Sequence, residues 1–294
     1  YDLKQGNYAQ ALLGEKWYRE YGEGLYLQHF HRYLEIGVYH DGGGNCVLNN
    51  RAYDITPHSF SVVPPNCPHT NNSGAGQKKN WEWIYIDTEL VLKRMAENSG
   101  GKMDERLMLI EIYKYAAFFS VHTNPKLANI IYEVLRELRQ KRYMYQEKVY
   151  GLLCEFFVEI LRNSSRKINI NRTGHLIAQI VPALQYLQEG YKEYDLSVSG
   201  LAEVCSVSES YFRRIFQECM GMSPHEYITL VRTQEACKLL LNTRFNMEEV
   251  ACRVGYSNVS TFNRSFKRAV GTSPYQWKKA PFVQENALPS TPVH

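Results

Sequence analysis

The sequence predicts an α+β protein with two domains, in which a β-rich barrel or sandwich precedes an all-helical C-terminal domain. Residues 25–87 alternate apolar and polar side chains between turn signals, which is typical of short antiparallel strands. After Thr88 the apolar spacing changes to three and four residues, which is typical of helices. The last hundred residues contain one helical pattern twice, at an offset of fifty positions.

Length and composition are those of an ordinary globular protein. The chain has 294 residues, enough for two cores, with 44% hydrophobic residues and a net charge of +4. Its start has no signal-peptide pattern, no apolar run is long enough to span a membrane, and its 7 cysteines form no CxxC pair. We therefore expect a cytoplasmic protein with free thiols and no membrane partner.

Short strands with clear turns are predicted in the N-terminal half. The predicted strands are 35–39, 46–48, 59–63 and 81–87, and the clearest turn is 41–45. Strands at this spacing indicate a small barrel or an antiparallel sandwich. Two amphipathic helices follow at 127–139 and 146–161. We expect one helical face to pack on the barrel and a second to form a dimer seam.

A polar, unpatterned stretch at 163–172 predicts an interdomain linker. The helices predicted beyond it are 176–189, 198–205, 209–220, 224–241, 247–253, 260–270 and 274–279. Ser197, Ser208 and Ser223 stand at N-cap positions, where a side-chain oxygen accepts open backbone N–H groups. Gly221 and Gly271 stand where two of these helices must end.

The repeat consists of a helix, a turn and a second helix in each copy. Its matching residues are Phe212, Arg214 and Phe216 in the first copy and Phe262, Arg264 and Phe266 in the second. Each copy therefore presents an arginine opposite two buried phenylalanines. Gly255 in the second turn is expected to have a positive φ. Ser206 is its equivalent in the first turn, where the same conformation would cost up to about 1 kcal/mol.

The helix between the two copies and the charges of the second copy point to DNA. Eighteen residues of α-helix at 224–241 span about 27 Å. Such a strut separates two recognition helices by roughly one DNA turn, about 34 Å. Between Ala251 and Lys279 there are six basic residues and no acidic one. A solvated face is the alternative, but on a helix-turn-helix a stretch of one sign favours phosphate contact.

These motifs resemble the DNA-binding domain of the AraC/XylS family of bacterial transcription regulators. The resemblance is carried by Ala202 and by residues 211–216, 221–224, 250–257, 262–267 and 271–275. It implies binding to double-stranded promoter DNA, and to RNA polymerase if the protein is an activator. The base-reading positions that it implies are Ser210, Arg213, Arg214, Val259, Ser260, Asn263 and Arg264.

Further DNA contacts are predicted from side-chain chemistry. Arginine can pair with guanine and asparagine with adenine in the major groove. Gln217 lies on the exposed face of the first recognition helix. The residues suited to phosphate oxygens are Ser208, Ser257, Lys267 and Arg268.

Histidines and one acid are grouped in the strand region. His29 and His31 are two apart and share a strand face. Together with Glu35 and His69 they have the donor atoms of a divalent-metal site of the kind that cupins use. Residues 25–87 resemble a cupin barrel, although His58 and Asn66 replace usual glycines. The plainer interpretation is that these side chains line an effector pocket without a cofactor.

Aromatic residues alternate along the last predicted strand. Trp81, Trp83 and Tyr85 share one face, which is either barrel core or a wall on which a sugar ring stacks. In arabinose-responsive relatives a tryptophan at the position matching Trp83 stacks on the sugar, so the resemblance favours Trp83. The predicted effector-binding residues are His29, His31, Tyr39, His69, Asn71, Trp81 and Trp83.

We therefore predict a homodimeric, non-enzymatic transcription regulator that is controlled by a small-molecule effector, a sugar, bound in the barrel. The alternative is a metal-dependent cupin enzyme fused to a DNA-binding module. The predicted parts are a cupin-like barrel at 1–98, a helical dimerisation segment at 99–163, a linker at 164–173, a DNA-binding domain at 174–280 and a flexible tail at 281–294.

Overall fold

The chain forms two compact units. The computed structural model describes residues 3, 6–14, 18–20, 29–48, 51–74, 76–166 and 172–279. The first unit comprises residues 1–23 and 30–178, and the second comprises residues 24–29 and 179–294. The predicted tail at 281–294 and residues 167–171 of the predicted linker lie outside the described residues.

The first unit is built on two antiparallel sheets. Its strands are β1 (Ala9–Leu12), β2 (Tyr18–Glu20), β3 (Leu34–Tyr39), β4 (Asn45–Leu48), β5 (Arg51–Asp54), β6 (Ser59–Val63), β7 (His69–Asn72), β8 (Lys78–Ile86) and β9 (Ala117–Ser120). The larger sheet has the order β1-β8-β3-β6-β9, with β2 also paired to β8, and the smaller has the order β5-β4-β7. The predicted fold class is confirmed.

Four helices complete the first unit. They are α1 (Thr88–Asn98), α2 (Glu105–Lys114), α3 (Pro125–Gln140) and α4 (Tyr145–Arg166). The side chains of Asp87, Asp104 and Asn124 cap the first three by accepting backbone N–H groups. Helix α4 continues to Arg166, beyond its predicted end at Leu161, so the start of the predicted linker is helical.

Helix α3 packs on the larger sheet, as its apolar stripe predicts. The ring of Tyr132 meets that of Phe60 edge-on, with centroids 5.3 Å apart. The Tyr132 hydroxyl lies 3.3 Å from Nδ1 of His58. Helix α3 also packs against α4. The dimer seam expected on these helices stays a prediction.

A buried carboxylate, Glu82, joins three parts of the first unit. Glu82 is 2% exposed on β8. It accepts hydrogen bonds from the Gly14 amide at 2.9 Å, from Nη2 of Arg139 on α3 at 2.7 and 2.8 Å, and from Nε2 of His40 at 2.9 Å. Burial alone would raise its pKa, but these partners lower the pKa of Glu82 to about 2.

The second unit is all-helical. Its helices are α5 (Arg172–Gly190), which begins in the first unit, α6 (Val198–Val204), α7 (Glu209–Met220), α8 (Pro224–Asn242), α9 (Met247–Arg253), α10 (Val259–Val270) and α11 (Pro274–Lys279). Among the described residues, none of the helices is both long and apolar enough to cross a membrane. All seven cysteines are free thiols.

The predicted caps set the ends of the C-terminal helices. Ser208 caps α7, and Ser223 forms a reciprocal capping box with Glu226 at the start of α8. Gly221 and Gly271 end α7 and α10 in the left-handed conformation, with φ of 71° and 84°. The predicted start of α10 at Ser260 is one residue late, because Asn258 caps this helix and Val259 is its first residue.

Both copies of the repeat pack on α8. In the first copy the ring centroid of Phe216 lies 5.4 Å from that of Phe212 and 5.4 Å from that of Tyr227, which is on the first half of α8. In the second copy Phe262 and Phe266 share a core with Ala236 and Leu240 from the second half of α8. One helix therefore carries both helix-turn-helix units, one on each half.

Candidate DNA interface and sensor interior

The first helix-turn-helix unit presents a polar face on α7. Phe212, Ile215 and Phe216 are fully buried on the opposite face. The predicted DNA-contacting residues of this unit that lie exposed are Ser208, Ser210, Arg213, Arg214 and Gln217. The residues that sequence reasoning grouped by helical phase are thus brought to one accessible face.

Two neighbouring arginines on this face have different partners. Arg213 donates to Oε1 of Glu209, one turn earlier, with 2.8 Å from Nε and 2.7 Å from Nη2. The guanidinium of Arg214 lies over the ring of Tyr211, 5.0 Å from its centroid. The Tyr211 hydroxyl in turn donates to Oε1 of Gln179 on α5 at 2.9 Å. These contacts orient both arginines, and the i, i+4 spacing of Glu209 and Arg213 is the sequence signal that predicts the first.

The second helix-turn-helix unit presents a corresponding face on α10. Its predicted DNA-contacting residues that lie exposed are Ser257, Ser260, Asn263, Arg264, Lys267 and Arg268. Val259 differs, because its side chain is half-buried against the core of this unit. Helix α10 has no acidic residue, and Lys267 and Arg268 lie in its last turn. The face is therefore more uniformly positive than that of α7.

Helix α8 separates the two faces. It has 19 residues, so its length is about 28 Å. Because α7 packs near its start and α9 and α10 pack on its second half, the two recognition helices are held on one rigid element. This length suits recognition helices that enter neighbouring turns of one DNA groove.

In the first unit, the predicted effector residues on β3, β7 and β8 meet in one core cluster. Tyr39 lies edge-on to Trp81 and Trp83, with centroid distances of 5.1 and 5.8 Å. Its hydroxyl donates to Oδ1 of Asn71 at 2.7 Å and lies 2.9 Å from Oγ of Ser61. Burial raises the pKa of Tyr39 well above its usual value, so this phenol stays neutral.

Both tryptophans are buried. Trp81 is fully buried, and its indole N–H donates to the backbone oxygen of Asp41 at 3.1 Å. Trp83 is 5% exposed and pairs in register with Gly37 on β3. Trp81 is thus fixed in the core by its polar atom, whereas Trp83 lies opposite a residue without a side chain.

Gly37 is a residue of this cluster that sequence reasoning missed. A β-carbon at Gly37 would lie 2.5 Å from Oγ of Ser61, 2.7 Å from the ring of Trp83 and 2.9 Å from the hydroxyl of Tyr39. Any larger residue would displace these groups. The sequence signal for this role is a glycine on the same strand face as Glu35 and Tyr39, where a side chain is normally expected.

His31, Glu35 and His69 form a second polar cluster. Nε2 of His31 lies 2.9 Å from Oε2 of Glu35, and Nε2 of His69 lies 3.3 Å from Oε1. Glu35 and His69 are buried, with 1% and 0% exposure. Although burial opposes both shifts, the pKa of Glu35 lies well below and that of His69 above its usual value, because each favours the charged form of the other. His29 belongs to the second unit, so its predicted role stays a prediction.

The hydrogen bonds of these histidines bear on metal binding. Nδ1 of His31 lies 2.8 Å from the backbone oxygen of Tyr33, and Nδ1 of His69 lies 2.9 Å from that of Cys67. A carbonyl only accepts, so both Nδ1 atoms carry hydrogen. Nε2 is therefore the atom of each imidazole that faces Glu35. The ligand atoms lie within 4.8 Å of one another, so the two histidines and Glu35 fit a transition-metal ion.

Comparisons with known proteins agree with this arrangement. A family model described as "AraC-like ligand binding domain" matches residues 21–156, and one described as "Helix-turn-helix domain" matches residues 201–280. An uncharacterized HTH-type transcriptional regulator from Haemophilus influenzae is 37% identical over 81% of this chain and 84% of its own. The raffinose operon transcriptional regulatory protein RafR from Pediococcus pentosaceus is 22% identical over 81% of each chain.

A solved structure shares the fold. ToxT from Vibrio cholerae O395 aligns with a TM-score of 0.58 and 14% identity, over 95% of this chain and 98% of its own. The two family models and the Haemophilus relative show a transcription regulator with a ligand-binding domain and a helix-turn-helix DNA-binding domain. The chain belongs to the AraC/XylS family of transcription regulators.

Proposed function

We propose that this regulator reads promoter DNA with α7 and α10 together, as a homodimer, and that a small sugar bound in the barrel controls it. The observation that carries the DNA-reading proposal is the repeat. Arg214 and Arg264 lie exposed at equivalent positions of two helices that share one strut. In the major groove, Arg213, Arg214 and Arg264 contact guanine and Asn263 contacts adenine. Ser210, Val259 and Ser260 complete the base-facing set.

Phosphate contacts fix the register of each helix. Ser208 and Ser257 lie beside the N-termini of α7 and α10, where backbone N–H groups favour an anion. Gln217, Lys267 and Arg268 lie along the same faces. Because α10 has no acid, the second helix-turn-helix contributes more of the affinity for phosphates. The first helix-turn-helix contributes more base discrimination through its two arginines.

The interior of the first unit supports a sugar effector. Trp83, the hydroxyls of Tyr39 and Ser61 and the amide of Asn71 belong to one cluster of aromatic and polar groups around Gly37. Aromatic faces with few convergent polar groups are the usual chemistry of a small-molecule site. The relative named for the raffinose operon supports the same class of effector. His31, His69 and Trp81 are the further proposed contacts.

Control by the effector requires two arrangements of the protein with different affinity for it. A sugar that favours one arrangement shifts the population toward it, and with it the DNA segments that the homodimer bridges. If the outcome is activation, RNA polymerase is the further partner. The family relatives are regulators, and no catalytic step is assigned to this chain.

Selection of DNA by the full chain tests this proposal. The protein is incubated with random-sequence duplexes, and its affinity for the selected DNA is then measured with and without raffinose, arabinose and other sugars. We expect a defined sequence motif with two segments, and one sugar that changes the affinity by tenfold or more, about 1.4 kcal/mol. If no sequence is enriched, the DNA-reading proposal fails. If no sugar changes the affinity, the sugar proposal fails alone.

A divalent metal ion is a second candidate ligand of the barrel. The observation that favours it is the placement of Nε2 of His31 and of His69 at 2.9 and 3.3 Å from the two oxygens of one buried carboxylate. A cation among these atoms would bridge the two imidazoles and the carboxylate. The metal would contribute charge and cross-linking of β3 to β7, and no reaction is implied.

Metal content of the purified protein tests this candidate. We expect about one equivalent of metal, and a cobalt titration that gives visible absorption bands typical of nitrogen and oxygen ligands. His69→Gln should abolish the bands. His40→Gln is the matched control, because His40 also pairs with a buried glutamate at 2.9 Å, but in a different place. Absence of metal and of cobalt bands in the wild type would remove this candidate.

A further inference from the structure

The turn of the second helix-turn-helix unit lies against the loop that follows α5. A β-carbon on Gly255 would lie 2.5 Å from the backbone oxygen of Tyr191. Beside this contact, the hydroxyl of Tyr194 hydrogen-bonds with Sγ of Cys252. The second turn is therefore packed directly on a loop from the other end of the DNA-binding unit.

This loop is tied to the first recognition helix. Helix α5 ends at Gly190, immediately before the loop. The side chain of Gln179 on α5 accepts a 2.9 Å hydrogen bond from Tyr211 on α7. Tyr211 also lies under the guanidinium of Arg214. A chain of contacts therefore leads from the first reading face through α5 to the second turn, independent of the strut α8.

Arg232, in the middle of α8, closes this junction. Its Nε donates to the oxygen of Tyr191 at 2.9 Å, and its Nη2 donates to the oxygen of Glu193 at 2.8 Å. Its guanidinium carbon lies 5.2 Å from the ring centroid of Tyr256, next to Gly255. One side chain thus holds the loop after α5, the strut and the second turn together.

This junction explains why the two copies of the repeat differ in their turns, with serine in the first and glycine in the second. Ser206 has a φ of 54°, and its equivalent Gly255 has a φ of 83°. A serine in the first turn shows that left-handed backbone alone does not demand glycine. The second turn needs glycine because the Tyr191 oxygen, and Nη2 of Arg232 at 2.9 Å, occupy the place of a β-carbon.

We propose that Arg232, held between the Tyr191 oxygen and the Gly255 turn, is a positioning residue that sets the orientation of α10 relative to α7. It thereby sets the spacing between the two DNA segments that one chain accepts. This inference rests on the proposal that both helices read DNA. Two linked helix-turn-helix units gain affinity from each other only when their geometry lets both contact DNA at once. A loosened junction therefore weakens binding to two segments together but leaves the affinity of each helix-turn-helix for its own segment unchanged.

The test uses the full chain and the duplex that the wild type selects from a random library, with its two contacted segments mapped by footprinting. Fluorescence anisotropy gives the affinity for this duplex, for two duplexes with one segment scrambled, and for one with a base pair inserted between the segments. Arg232→Met keeps the length and helix propensity of the side chain and removes its donors. Circular dichroism checks that each variant is folded.

We expect Arg232→Met to bind the selected duplex about tenfold more weakly, and each scrambled duplex within about twofold of the wild type. The inserted base pair should weaken the wild type more than about tenfold and the variant less than about threefold. Gly255→Ala disturbs the junction from its other side, so it should give the same pattern and carries the test if Arg232→Met does not fold. Ser206→Ala, at the equivalent position, is the matched control and should behave as the wild type.

Equal losses on all four duplexes, or unchanged sensitivity to the inserted base pair, would overturn the inference. A wild type that selects no sequence would instead overturn the proposal that the chain reads DNA. The two failures are therefore distinguishable.

Discussion

Arg213 on the first recognition helix is held by Glu209, with 2.7 Å between Nη2 and Oε1. Glu209 lies in the first turn of α7, where its negative charge also interacts favourably with the positive end of the helix dipole. The second recognition helix has no acid. The two proposed reading faces therefore differ in charge, and in the proposed complex the first releases or shares this ion pair when it meets DNA.

Glu209→Gln should tighten DNA binding. The substitution frees Arg213 and removes a negative charge near the phosphates, so we expect affinity to rise about three- to tenfold at low salt. The gain should shrink as salt increases, because an exposed charge is screened. Fluorescence anisotropy over a range of salt concentrations measures both effects.

Glu218→Gln is the control for this substitution, because Glu218 is an exposed acid near the other end of α7. If both variants gain equally, net charge explains the result, and the Arg213–Glu209 pair has no specific role in DNA binding.

Ser206→Gly should stabilise the DNA-binding unit. Ser206 has a φ of 54° in the first turn, where a β-carbon costs up to about 1 kcal/mol relative to glycine. We expect the free energy of unfolding to rise by about 0.5–1 kcal/mol, as measured by urea denaturation. A decrease would mean that the serine side chain makes contacts worth more than the backbone strain.

Glu82→Gln should destabilise the first unit in a pH-dependent way. The folded pKa of Glu82 is about 2, below its ordinary value of 4.5, so its charge stabilises the fold above pH 4.5. This stabilisation is lost as pH falls from 4.5 toward 2. We expect a loss of about 2–3 kcal/mol near pH 7, since Arg139 is partly exposed and solvent screens its share.

Denaturation of wild type and variant between pH 7 and pH 2 measures this difference. The gap between them should narrow below pH 4.5 and nearly close at pH 2. Glu133→Gln, which removes an exposed acid paired with Arg136, should change stability by less than about 0.5 kcal/mol. A gap that stays constant with pH would show that packing around Glu82, and not its charge, stabilises the unit.

The C-terminal helices could be predicted almost to the residue, because local chemistry sets their ends. Serine at a helix start and glycine at a helix end are strong capping signals, and the caps found here are Ser208, Ser223, Gly221 and Gly271. Most predicted ends are correct to within one residue, and α10 begins one residue early because Asn258 caps it. The larger difference is α5, which begins at Arg172 and not at the predicted residue 176.

The strands and the interior of the first unit were less predictable. Strands β5 and β7 are short and mostly polar, so no apolar alternation marks them. Glu82 lies between two core tryptophans, and nothing in the sequence pattern predicts its burial. It is buried because α3, distant in sequence, brings Arg139 to it. Partners of this kind depend on tertiary packing, which periodicity along one strand cannot show.

Binding of DNA by Arg214→Ala and Arg264→Ala most directly tests the central claim that two equivalent arginines on one strut read the DNA. Each variant should lose about 1–3 kcal/mol of binding free energy on the selected duplex and discriminate less between it and unrelated DNA. Arg244→Ala removes an exposed arginine between α8 and α9 and should bind as the wild type does. If both arginine variants bound the selected duplex with wild-type affinity and discrimination, the assignment of α7 and α10 as the reading helices would be wrong.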